Sequence, residues 1–172
     1  MVKIAGCIIV IGTTTLLGIK KGAAIEDAYR QLQYIQRLMY LLQSEIRYAR
    51  TYLGEIFIHL GDKSIGAYRK WLMSLGKEME KRTGERFEEM WREGVETYLA
   101  DINIPKDEKE RLIALGSQLG NMDTEMQIRT LDLYQEQLAQ SMEELRDGMK
   151  AKVRLCRCLG IMSGMFLSVL LL

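Results

Sequence analysis

Residues 25–49 read IEDAYRQLQYIQRLMYLLQSEIRYA. Ile25, Ala28, Leu32, Ile35, Met39, Leu42, Ile46 and Ala49 step by 3, 4, 3, 4, 3, 4 and 3. At 3.6 residues per turn those steps return to one side of a helix, so the stretch predicts an apolar seam about seven turns long. A second seam runs Leu131, Tyr134, Leu138, Met142, Leu145, Met149 towards the end of the chain. No stretch alternates with a period of two. The single proline, Pro105, fits long unbroken helices. The fold class is therefore all-α: roughly a six-helix bundle, with a transmembrane helix at each terminus.

Working outward from the seams, shorter helices have readable ends. Thr51 can cap a helix stopped by Gly61. Asp62 or Ser64 can cap one carrying Trp71, Leu72 and Leu75, and Thr83 one carrying Phe87, Met90, Trp91 and Tyr98. Pro105 suits a first helical position, with Asp107 and Glu108 favourable to the helix dipole. That helix buries Leu112, Leu115 and Leu119 and ends at Gly120, and Asp123 caps the last helix.

The two ends are apolar. Residues 4–19 (IAGCIIVIGTTTLLGI) carry no charge and stop at Lys20 and Lys21, and residues 159–172 (LGIMSGMFLSVLLL) follow a basic cluster. A signal peptide would want its stronger charge before the apolar run, so the first run reads as an uncleaved anchor. Both are short. The first spans about 24 Å against a hydrocarbon core of about 30 Å, a gap that thinning or snorkelling basic residues can cover. Basic residues flank the inner side of each run, which places the middle in the cytoplasm. The expected organisation is an anchor over 1–21, a cytoplasmic helical bundle over 22–154 and a transmembrane helix over 155–172. Gly160, Gly164 and Ser168 form a ridge of small residues that lets helices approach closely in lipid.

Charge narrows the function classes. Every Asp and Glu lies between residues 26 and 147; seven of the 24 basic residues lie outside that span, leaving 17 against 23 acidic, a formal charge of −6. Such a domain lacks the basic face that nucleic acid requires. There is no Gly-rich phosphate loop, and one histidine, His59, removes the paired-histidine zinc motif. No cofactor, metal or catalytic group is expected. Cys156 and Cys158 diverge by about 200° on a helix and cannot readily share a metal or a disulfide.

Several stretches together resemble the stage III sporulation protein AB family of endospore-forming bacteria. They are Leu42-Gln43-Ser44-Glu45-Ile46-Arg47-Tyr48, Thr51-Tyr52-Leu53-Gly54-Glu55-Ile56, and Pro105, Glu108 and Leu112 leading into LGSQLGNMD at 115–123, with Gln127 following. Tyr52 stands where the family commonly has Pro, and Ile56 where it has Ala. The resemblance implies a non-enzymatic subunit of a secretion-like channel complex between mother cell and forespore. It implies a location in the mother-cell membrane around the forespore, and a cytoplasmic domain similar to those of type II secretion and type IV pilus platform proteins. The implied partners are a cytoplasmic secretion-type ATPase (stage III sporulation protein AA), other membrane subunits of the complex, and membrane lipid.

Within the shared motifs, Leu119, Gly120, Asp123 and Gln127 read as residues that make the fold. Glu45, Arg47 and Tyr48 flank or oppose the seam and are the candidates for partner contact. A membrane-tethered signalling adaptor, its long helices moving as rods, is the competing reading.

Overall fold

A computed structural model describes residues 2–48, 51–81, 86–120 and 123–171. Within 2–18 and 149–171 the backbone is described throughout, and side chains at Thr13, Leu16, Ala151, Arg154, Cys158 and Met162. The described residues form six α-helices and no strand: α1 (Val2–Tyr48), α2 (Leu53–Lys63), α3 (Gly66–Lys81), α4 (Phe87–Tyr98), α5 (Lys106–Leu119) and α6 (Thr124–Leu171). The chain divides into two compact units, one of residues 31–141 and one of residues 1–30 with 142–172. Both divisions fall inside α1 and α6, deeper in the chain than the ends of the apolar runs.

In the unit of residues 31–141 both seams are core. Leu32, Ile35, Met39, Leu42 and Ile46 are buried on α1, as are Leu131, Tyr134 and Leu138 on α6. In the other unit Ala28 and Met142 are buried. Ala49 and the side chain of Met149, the last positions of the two seams, lie outside the described residues.

The four short helices stack through glycines that let backbones and rings approach. A Cβ on Gly76 would lie 2.8 Å from the carbonyl oxygen of Gly54, so α2 and α3 meet almost backbone to backbone. On α4, Gly94 leaves room for the edge of Trp71, and on α5, Gly116 leaves room for Trp91. Trp71 and Trp91 meet edge to face at 4.8 Å between centroids, and Phe57 and Phe87 close around Trp91. Rings so arranged add specific contact energy to the area they bury.

Helix ends depart from the expectations at several places. Gly61 does not stop α2, which runs on to Lys63; Gly61 is buried where a Cβ would meet the Met73 side chain at 2.8 Å. Neither Asp62 nor Ser64 caps α3. Asp62 pairs with Arg69, and the Ser64 hydroxyl donates back to the Leu60 carbonyl. The chain instead enters α3 through Gly66 at φ +58°, a conformation glycine takes without a Cβ penalty. Thr83 lies outside the described residues, and α4 starts from Arg86 without a side-chain cap.

Pro105 is the N-cap of α5 rather than its first helical residue. Glu108 stands in the first turn as the dipole argument expects, and it is also 4% exposed and paired with Arg111. Tyr52 adopts φ −64° at the start of α2, the value a proline ring imposes, so its presence in place of Pro leaves that helix start intact. Ile56, in place of Ala, is buried core.

Among the described residues, no helix is long and apolar enough to cross a membrane. The two apolar runs fall largely where side chains lie outside the described residues.

Candidate interaction site

The partner candidates sit at the C-terminal end of α1, and the structure separates them. Glu45 is half-buried, with an oxygen 3.1 Å from His59 Nδ1 and 3.8 Å from Lys63 Nζ on α2. It ties α1 to α2. Arg47 and Tyr48 are exposed, Tyr48 to 77%.

They belong to a longer face. At 100° per residue, Arg37, Tyr40, Leu41, Ser44, Arg47 and Tyr48 fall within about 120° of arc, opposite the core positions. All six are exposed. Tyr40 is 54% and Leu41 36% exposed. Periodicity carried the signal for Arg37, Tyr40 and Leu41, which occupy the positions left over once the seam is assigned.

The flanks of α1 are closed by named contacts. Towards α3, the Ile65 N–H donates to the Tyr34 hydroxyl and Tyr68 donates to Gln31. Towards α6, the buried Gln43 amide donates to the Ile128 carbonyl at 3.1 Å and to Asp132 at 2.5 Å, and accepts from Gln135 at 3.2 Å. Gln43 lies inside the family motif, and its role there is structural. Sequence reading missed it because its partners are 85 to 92 residues away.

The later motif residues also join helices. The Leu119 carbonyl, at the end of α5, accepts from Gln127 Nε2 at 2.9 Å. Asp123 accepts from the Met126 N–H at 2.8 Å, a side-chain cap on the first turn of α6. Gly120 is the C-cap of α5, in the right-handed region and not the left-handed one expected of a glycine stop; a Cβ there would meet Phe87 Cδ1 at 2.9 Å. Close packing against α4 accounts for it. The side chains of Ser168 and of its neighbours in the small-residue ridge lie outside the described residues, as do the positions of Gly160 and Gly164 beyond their α6 backbone.

Two further polar features lie in the bundle. Glu108, Arg111 and Tyr134 share one neighbourhood, in which the Tyr134 hydroxyl and Glu108 Oε2 have no hydrogen-bond partner among the described residues. Burial pushes the Tyr134 phenol far above its ordinary value; Glu108 and Tyr68 add to that and Arg111 opposes it. Between α3 and α4 lies a cleft of about 350 Å³ lined by Ser74, Glu78, Met90, Glu93, Thr97 and Tyr98. Its Glu78 is held by Lys81, and its Tyr98 and Ser74 hydroxyls bond each other. Among the described residues, no group of three or more His, Cys, Asp or Glu side chains is placed to hold a metal ion.

The described part is thus a helical scaffold whose first helix exposes two arginines and two tyrosines on one side. A family model described as stage III sporulation protein AB matches residues 3–172, and the chain belongs to that family. It is similar to the "Stage III sporulation protein AB" of Bacillus subtilis (strain 168), with 21% identity over 172 residues, the whole of both chains. No solved structure matches it.

Proposed function

We propose that this chain is a non-enzymatic, platform-like membrane subunit of a sporulation-specific, secretion-like channel complex between mother cell and forespore. Its bundle stands in the mother-cell cytoplasm and docks a secretion-type ATPase, stage III sporulation protein AA. The family match over essentially the whole chain carries this reading. The apolar runs at 4–19 and 159–172, each with basic residues on its inner flank, support two spans and a cytoplasmic middle. Gly160, Gly164 and Ser168 supply a packing ridge for the second span. Arg47 and Tyr48 are the partner-contact residues of this reading; Glu45, engaged with α2, positions the helix beside them.

The test is retention of the ATPase by the tagged full-length chain, solubilised from membranes of sporulating cells. Co-purification that survives washing and is specific to that ATPase supports the platform reading. A chain that sediments with membranes but never retains the ATPase overturns it and favours a tethered adaptor.

A further inference from the structure

Resting on the docking role above, we infer that the exposed face of α1 from Arg37 to Tyr48 is a docking stripe for an acidic protein surface. The stripe covers about 16 Å of helix. Two arginines bracket Tyr40, Leu41 and Ser44, Tyr48 follows the second, and no carboxylate stands among these positions.

That composition runs against the rest of the domain, which carries a formal charge of −6 between residues 26 and 147. The stripe's arginines also differ from those of the short-helix stretch, though exposed Arg129 on α6 likewise has no carboxylate within ion-pair distance among the described residues. Every described arginine from Leu53 to Leu119 is held by a carboxylate: Arg69 by Asp62, Arg86 by Glu89, Arg92 by Glu88 and Arg111 by Glu108. Among the described residues no carboxylate lies within ion-pair distance of Arg37 or Arg47. The nearest acid in sequence, Glu45, is turned to His59 and Lys63 on the edge of the stripe.

Chemistry selects the occupant. Arginine presents a planar fork that binds carboxylates in pairs, and tyrosine and arginine dominate the centres of protein interfaces. Tyr40, Leu41 and Tyr48 supply apolar area that water covers poorly. An anionic membrane surface is the other source of negative charge. Segments held there carry about four to eight Lys or Arg, whereas this stripe has two arginines and no lysine. A protein face bearing Asp or Glu around an apolar centre fits better.

The experiment uses the full-length chain with the cytoplasmic ATPase as probe. The charge-reversed Arg37→Glu/Arg47→Glu variant is compared with Arg69→Glu, whose site lies on α3. Circular dichroism and thermal unfolding report the fold of each, and Tyr48→Ala provides a milder lesion. The expected result is at least ten-fold weaker binding for the double variant, several-fold for Tyr48→Ala, little change for Arg69→Glu, and wild-type affinity that falls with salt. Unchanged binding by the folded double variant overturns the stripe and leaves the platform reading intact.

If the wild-type chain does not bind the ATPase, the platform reading falls, and the stripe is judged by a photocrosslinker at position 40 in sporulating cells. Adducts on an acidic protein segment, absent from a control crosslinker at Leu133 on α6, support the stripe. Adducts on lipid, on a basic or neutral segment, or none at all overturn it.

Discussion

The indole N–H of Trp91 donates a 2.7 Å hydrogen bond to the main-chain carbonyl of Leu112, joining α4 to α5 in the middle of the bundle. The bond is possible because Gly116, one turn on, has no Cβ where the indole lies. Gly116→Ala should therefore cost about 1–3 kcal/mol through overpacking. Gly66 gives the contrast: its φ of +58° is unfavourable for other residues, but nothing lies within 4 Å of a Cβ there. Gly66→Ala should cost about 1–2 kcal/mol of backbone strain. Gly66→Asn should recover part of that loss, and Gly116→Asn should be worse than Gly116→Ala. Denaturant unfolding of the four full-length variants separates the two causes.

The seams should tolerate no charge. Leu42 is 1% exposed and Leu138 is fully buried. Leu42→Asp or Leu138→Asp should lose about 3 kcal/mol or more, because the carboxylate must be desolvated without a partner. Leu133→Asp, at an exposed position on α6, should change stability by less than about 0.5 kcal/mol. Equal thermal midpoints for Leu42→Asp and Leu133→Asp would show that the seam is not the core.

Tyr134 gives the domain an alkaline limit. Its phenol is raised above the ordinary value by burial first. In the unfolded chain a tyrosine ionises near pH 10, so above that pH the unfolded state binds fewer protons than the folded state. The stability from keeping Tyr134 neutral is complete below about pH 10 and is lost as pH rises beyond it. Tyr134→Phe removes a hydroxyl without a hydrogen-bond partner among the described residues and should change stability at pH 7 by about 1 kcal/mol or less. It should also flatten the loss above pH 10. Parallel unfolding curves for the two proteins between pH 9 and 11 would rule this role out.

The long-range skeleton was legible because periodicity is a property of one helix. Leu32, Ile35, Met39 and Leu42 announce their burial by spacing alone, and so do Leu131, Tyr134 and Leu138. What spacing cannot carry is the identity of the neighbour. Gly61 reads as a stop because glycine commonly ends helices, whereas here the helix runs on and Gly61 admits Met73; Gly120 does end α5, and it admits Phe87 as well. Glu108 reads as a first-turn acid suited to the helix dipole, and its burial beside Arg111 is a matter of neighbours that spacing does not carry.

The contact candidates split for the same reason. Arg47 and Tyr48 are exposed as their phase predicts, while Glu45, between core and surface in phase, is taken by His59 and Lys63. The rest of the exposed face, from Arg37 onwards, was available to the same phase argument and needed only the burial of its opposite side to become visible.

Docking from the cytoplasm requires the domain to be there, so topology tests the account most directly. The measurement is labelling by a membrane-impermeant thiol reagent in vegetative cells expressing the full-length chain, with Cys7, Cys156 and Cys158 replaced by serine. A single reporter is introduced by Gln33→Cys or Glu96→Cys, both at exposed positions. The account predicts a membrane-bound protein that is unlabelled in intact cells and labelled once the cells are permeabilised. Labelling of either reporter in intact cells, or a chain that stays soluble after the membranes are sedimented, would contradict it.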